Sequence, residues 1–123
     1  MELKKLEQLV VNALEDVKGK EIEVINTTKL TSLFDRVVIA SGDSNRQVKA
    51  LARNVQEKVR EAGGEVLSVE GEDNGEWVLV DLGDIVVHVM QPAVRNYYNL
   101  EELWAAKAPV RRKLAGEGGT GAA

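Results

Sequence analysis

Residues 69–104, VEGEDNGEWVLVDLGDIVVHVMQPAVRNYYNLEELW, read as a β-hairpin followed by a short helix. Both alternating sets of side chains in the two strands are apolar, whereas a sheet needs only one apolar face to build a core. With Leu82-Gly83 as a two-residue turn, Asp81 pairs with Asp84, Val80 with Ile85, Leu79 with Val86, Val78 with Val87 and Trp77 with His88. Directly paired residues share a face. One face then collects Val78, Val80, Ile85, Val87 and Val89, all β-branched and suited to packing under a helix. The other collects Trp77, Leu79, Val86, His88 and Met90. Tryptophan is enriched at interface hot spots and methionine adapts its shape to a partner. This second face therefore reads either as a docking surface or as a second core layer under one of the helices. A register slip of one residue would scramble the two faces.

The rest of the chain supplies the neighbours of this hairpin. Residues 2–17 place Leu3, Leu6, Leu9, Val10, Ala13, Leu14 and Val17 at helical spacing, ended by Lys18-Gly19. Lys20–Asn26 is a β-branched strand, Thr27–Phe34 a loop, and Asp35–Ser41 a more apolar strand expected at the centre of the sheet. Ser44 and Gln47 form a capping box that opens the longest helix. Its stripe is Val48, Leu51, Ala52, Val55 and Val59, and Gly63-Gly64 stops it. Glu65–Glu70 is a third strand, Gly71–Gly75 a turn, and Glu76–Leu82 and Asp84–Gln91 the hairpin strands. Pro92 suits the first turn of a last helix carrying Tyr97, Tyr98, Leu100, Leu103 and Trp104. From Ala105 the pattern dissolves, and the closing GEGGTGAA predicts a disordered tail.

The expected fold is α/β: a single domain over residues 1–104 with a mixed five-stranded sheet and flanking helices in the order α-β-β-α-β-β-β-α, followed by a basic, then Gly-rich tail over 105–123. The long helix is a natural crossover between parallel strands, and the hairpin strands are antiparallel. There is no internal repeat.

Composition narrows the function. The 123 residues contain no cysteine, which removes disulfides and cysteine-ligated metals and favours a reducing, cytoplasmic setting. The N-terminus MELKKLEQLV interrupts its apolar periodicity with charges and is not a signal peptide. No apolar run approaches the about 20 residues that span a bilayer. Net charge is −4, unevenly spread: residues 107–123 carry +3 and residues 1–106 carry −7. An acidic body predicts little direct RNA contact and steering towards a basic partner.

Catalytic readings find little support. His88 is the only histidine, and nothing marks Ser41 or Ser44 as a nucleophile that it activates. Zinc lacks ligands. Ala40-Ser41-Gly42-Asp43-Ser44 joins a strand to a helix, but lacks a phosphate-loop pattern and sets Asp43 where a phosphate would sit. Asp35, Asp43, Asp81 and Asp84 are the candidates for a magnesium-dependent nucleotidyltransferase.

Three separated blocks carry a resemblance. LTSLFDRVVIASGDSNRQVKAL (30–51), VEGEDNGEWVLVDLGDIVVHVM (69–90) and YYNLEELW (97–104) resemble, in order and spacing, the Iojap family of ribosomal silencing factors (RsfS). The resemblance runs from Leu3 to about Trp104. It implies a fold related to nucleotidyltransferases without their catalytic carboxylates, and here Gly42-Asp43-Ser44 replaces the Gly-Ser pair of such enzymes. It also implies a non-enzymatic repressor that needs no cofactor. Such a repressor binds the large ribosomal subunit through the ribosomal protein numbered fourteen in that subunit. There it blocks joining of the small subunit when nutrients are scarce, and it can form homodimers when free. The family's docking surface carries over to Trp77, Leu82, Met90 and Tyr98, with His88 nearby. Two positions depart from the family pattern: Arg36 stands where an aromatic or apolar residue is usual, and Phe34 where a small one is. A homodimeric adaptor that uses the Trp77 face as its dimer interface is a further alternative.

Overall fold

The computed structural model describes residues 1–107. The elements are α1 (Leu3–Asp16), β1 (Lys20–Asn26), β2 (Arg36–Ser41), α2 (Asn45–Glu61), β3 (Ser68–Glu70), β4 (Trp77–Asp81), β5 (Ile85–Met90), α3 (Pro92–Tyr98) and α4 (Leu100–Lys107). The strands form one sheet in the order β1-β2-β5-β4-β3. Only the β2–β5 pair is parallel; β1–β2, β5–β4 and β4–β3 are antiparallel. The expected single domain with a mixed five-stranded sheet is therefore present. The disordered tail was expected from residue 105, but α4 continues to Lys107; the rest of that expectation, over 108–123, lies outside the described residues.

Alternation sorts the sheet into two faces. Val38, Ala40, Val78, Val80, Ile85, Val87 and Val89 are fully buried in one core with Leu6, Val10, Ala13 and Leu14 of α1 and the Val48–Val59 stripe of α2. Each valine, leucine or isoleucine among them contributes about 1.5–3 kcal/mol by leaving water. Half of the expected capping box forms: the Gln47 backbone N–H donates to Ser44 Oγ at 3.1 Å. The Gln47 side chain reaches past the Ser44 N–H to other partners. It accepts from the Asp43 N–H at 2.7 Å and donates to the carbonyls of Val17 and Lys18, so one residue ties the start of α2 to the end of α1.

The hairpin register differs from the expected one by two residues. Trp77 pairs with Met90, Leu79 with His88, and Asp81 with Val86. The Leu82 N–H donates to the Ile85 carbonyl at 2.9 Å, so the turn is Gly83-Asp84 rather than Leu82-Gly83. The reason is backbone chemistry. Gly83 has φ 92°, and a hairpin turn places its positive φ at the first central position, where a leucine would be strained. Asp81 Oδ1 accepts from the Gly83 N–H at 2.9 Å and fixes the turn further. A shift of two preserves both faces, whereas a shift of one exchanges them.

Two other expectations change. β5, not β2, is the central strand, because the β4–β5 hairpin folds back to lay β5 along β2. The α2 crossover still joins two parallel strands, β2 and β3, but β5 and β4 lie between them. The last helix is two helices: Asn99, at φ 48° and ψ 60°, ends α3 in the left-handed conformation that asparagine tolerates. Its carbonyl then accepts from the Glu102 and Leu103 N–H groups and starts α4. The order is thus α-β-β-α-β-β-β-α-α.

Gly71 closes the approach to β4. It sits at φ 88°, and a Cβ there would lie 2.1 Å from the Trp77 carbonyl oxygen. Gly71→Ala is expected to cost more than about 1 kcal/mol in urea unfolding, because it adds backbone strain to a clash that only the β4 backbone could relieve. An unchanged urea midpoint would contradict that constraint.

Candidate functional site

The second face of the sheet consists of three cross-strand rows. Ser41, Met90 and Trp77 form one, Ile39, His88, Leu79 and Glu70 the next, and Val37, Val86, Asp81 and Ser68 the third. The helices α3 and α4 cover only the β2 side of these rows. Val94, Leu100 and Trp104 pack on Val37, Ile39 and Met90, and Phe34 meets the Trp104 ring edge-on at 5.6 Å. The face is therefore neither wholly open nor wholly sealed.

A buried arginine holds this partial lid. Arg95 of α3 donates from Nε to Glu101 of α4 at 2.8 Å and from a terminal nitrogen to Ser41 Oγ of β2 at 2.9 Å. Its other terminal nitrogen lies 2.8 Å from Glu101 and 3.8 Å from Glu23 of β1. Burial alone would raise the Glu101 carboxyl. The bond from its own N–H and the Arg95 guanidinium outweigh that and hold it below the ordinary value. The two helices are thus tied to each other and to the β1–β2 edge of the sheet.

Beyond the lid, the β4–β3 side of the face stays open. Leu79, Val86 and His88 floor a groove of about 530 Å³, walled by Leu33, Phe34 and Leu67 and rimmed by Glu70 and Asp81. Leu33 and Leu67 are more than half exposed, as are Tyr97 and Tyr98. Trp77 stands between the covered and open halves. Its ring lies 4.8 Å from that of Tyr98, which in turn meets Tyr97 edge-on at 5.0 Å. Trp77 Nε1–H donates to His88 Nδ1 at 3.0 Å, which fixes the indole in its plane. The result is an apolar groove continuous with an aromatic ridge, edged by carboxylates.

The residues marked in the sequence separate into two groups. Trp77, His88 and Tyr98 come together at the edge of the groove. Leu82 does not join them: it is 7% exposed and lies in the core under α1 and α2, because its pairing with Ile85 places it on the other face. Met90 is on the expected face but fully buried beneath α3 and α4. Leu33 and Leu67 were not anticipated: Leu33 lies in the loop Thr27–Phe34, and Leu67, expected within the strand Glu65–Glu70, lies just before the shorter β3 (Ser68–Glu70). Of the two departures from the family pattern, Phe34 packs on Trp104, while Arg36 bonds Glu7 of α1 at 2.9 Å.

Two of the four carboxylates considered for catalysis have structural partners. Asp43 pairs with Lys20, and Asp81 caps the hairpin turn. Among the described residues, no three His, Asp or Glu side chains converge as ligands for a metal ion. No described helix is long and apolar enough to cross a membrane.

The chain is similar to known proteins over most of its length. Residues 1–119 match the family model described as "Ribosomal silencing factor during starvation". A ribosomal silencing factor from Chromobacterium violaceum is 58% identical over 109 residues, covering 89% of either chain. The factor from Bacillus subtilis is 38% identical, covering 85% of this chain and 88% of its own. The chloroplastic Iojap protein of Zea mays is 29% identical over 101 residues, 82% of this chain and 44% of its own length. Among solved structures, a Chromobacterium violaceum protein superposes with TM-score 0.84 at 58% identity, covering 89% of this chain and 91% of its own. One from Bacillus halodurans superposes at 0.76 with 40% identity, covering 82% and 94%.

The Trp77–His88 bond has a pH signature. Nδ1 accepts only while the imidazole is neutral, and burial lowers the His88 pKa from 6.5 to about 4. The stability linked to keeping this buried imidazole neutral is fully present above 6.5 and is lost as pH falls from there through 4. The loss is on the order of 3 kcal/mol. Chemical denaturation at stepped pH should show this decline already between pH 6.5 and 5, where most carboxylates remain ionised, and His88→Gln should flatten it. Parallel curves for the two proteins would contradict the assignment.

Proposed function

This chain belongs to the ribosomal silencing factor family, and we propose that it represses translation by laying the open half of its sheet on the large ribosomal subunit. The partner there is the ribosomal protein numbered fourteen in that subunit. Occupying it covers a surface that the small subunit needs for joining. The mechanism is steric: it requires no catalysis, cofactor or metal, and it operates in the cytoplasm when nutrients are limiting.

The observation that carries this reading is the exposed apolar groove beside Trp77. Soluble proteins rarely leave contiguous apolar surface bare without a partner for it. Here Leu33, Leu67 and Leu79 line the groove and Tyr97 and Tyr98 extend it. Trp77 and Tyr98 are the anchors, of the residue types that dominate interface energetics. Leu82 and Met90 act from behind: Leu82 seats the hairpin on the core and Met90 supports the helix that carries Tyr98. Glu70 and Asp81 on the rim suit a basic partner. In the free protein a second copy covers the same groove, so dimerisation and ribosome binding compete.

Trp77→Glu tests the reading. The indole is only half-buried, so the fold tolerates the change, while a carboxylate in the centre of the contact does not fit an apolar pocket. Affinity for isolated large subunits should fall roughly thirtyfold or more in co-sedimentation, with circular dichroism unchanged and subunit joining restored. A variant that folds normally and still binds and blocks joining would overturn the proposal.

A further inference from the structure

The groove leaves α2 unexplained. Residues 1–106 carry −7, yet α2 holds Arg46, Lys49, Arg53, Lys58 and Arg60 against Glu57 and Glu61. The helix is therefore +3, and the remainder of residues 1–106 is −10. At 3.6 residues per turn, Arg46, Lys49, Arg53 and Arg60 fall within about 60° of arc and span about 20 Å. They lie on the outer side of α2, turned away from Val48, Leu51, Val55 and Val59 of the buried stripe. Arg46, Arg53 and Arg60 are exposed and Lys49 is half-buried. Lys58 pairs with Glu61 at 3.7 Å; among the described residues, none of the other four forms an ion pair. A protein with 20 acidic side chains thus keeps four cations in a row unneutralised on a rigid helix.

We propose that this row is a second contact surface, which binds the phosphate backbone of RNA on the large subunit. It rests on the docking reading for the location of that RNA, but not for the affinity itself. Several features favour RNA over an acidic protein. The arc presents no aromatic or large apolar side chain to anchor a protein interface. Three of its four cations are arginines, whose planar fork matches phosphate oxygens. The row is also continuous with no acidic side chain inside it except Glu57. The acidic total predicted little RNA contact, but a total cannot register that the cations are collected on one side. Because α2 covers the opposite face of the sheet from the groove, the two contacts address different parts of the ribosome.

The test uses the full chain with Arg46, Lys49, Arg53 and Arg60 all changed to Gln. A second variant carries Lys107→Gln, Arg111→Gln, Arg112→Gln and Lys113→Gln. The probes are a fluorescein-labelled 20-base-pair RNA duplex, read by anisotropy, and isolated large subunits, read by co-sedimentation, both from 50 to 200 mM KCl. Four phosphate contacts predict that wild-type affinity for the duplex falls roughly a hundredfold over that range. The α2 variant should bind the duplex at least tenfold more weakly at 50 mM, with a flattened salt dependence, and should show the same flattening on large subunits. Trp77→Glu should keep wild-type duplex binding, so failure of the groove is read separately from failure of the stripe. Three results would overturn the proposal: equal duplex binding by the wild type and the α2 variant, loss confined to the variant at residues 107–113, or no duplex binding by the wild type together with weaker large-subunit binding by the α2 variant. The last would assign the row to an acidic protein.

Discussion

Coverage of a two-faced sheet is the constraint on which this structure depends. Alternation sends Val78, Val80, Val87 and Val89 to one side, where the 14-residue α1 and the 17-residue α2 bury them completely. The other side is nearly as apolar, but its cover is α3 and α4, of 7 and 8 residues. At 1.5 Å per residue each is only about 10–12 Å long, whereas five strands at 4.8 Å spacing are about 19 Å across. Such a lid covers the β2 side and leaves β4 and β3 bare. An apolar half-face is thus a geometric consequence of element length, and the groove beside Trp77 is its visible form.

Which half stays bare is decided by Arg95. Its guanidinium reaches Ser41 of β2, Glu23 of β1 and Glu101 of α4, so both short helices are tied to the β1–β2 edge. A buried guanidinium is costly without its partners, which favours the lid position in which Ser41 and Glu101 are both reached. That position sets Tyr98 against Trp77, and Trp77 against His88, at the boundary of the open region. Packing on one side of the boundary therefore prearranges the aromatic edge on the other, and a partner docking there need not order it.

Much of this was legible in the chain, and what was not has physical causes. The composition of both hairpin faces followed from alternation alone. It survived a wrong turn, because the error was two residues and side chains repeat every two. The turn itself was misplaced because counting residues ignored which of them can take positive φ; Gly83 can, and Leu82 cannot at low cost. The break at Asn99 was hidden because the apolar spacing of Tyr98, Leu100 and Trp104 reads through it. The burial of Met90 depends on where α3 and α4 land, which is set by the long-range contacts of Arg95 and not by local pattern. The contributions of Leu33 and Leu67 depend equally on tertiary placement. The basic row of α2 emerges only when the helix is wound, which collects Arg46, Lys49, Arg53 and Arg60 within one arc.

The chain has no cysteine, so single thiols can report the contact directly. Leu67→Cys places one in the wall of the groove, and Glu15→Cys places one on the exposed side of α1. With large subunits in excess, alkylation at position 67 should slow by at least tenfold while position 15 reacts as it does in the free protein. Undiminished alkylation at position 67 in the bound protein would contradict the account, since the bare half of the sheet would then remain in water when the ribosome is engaged.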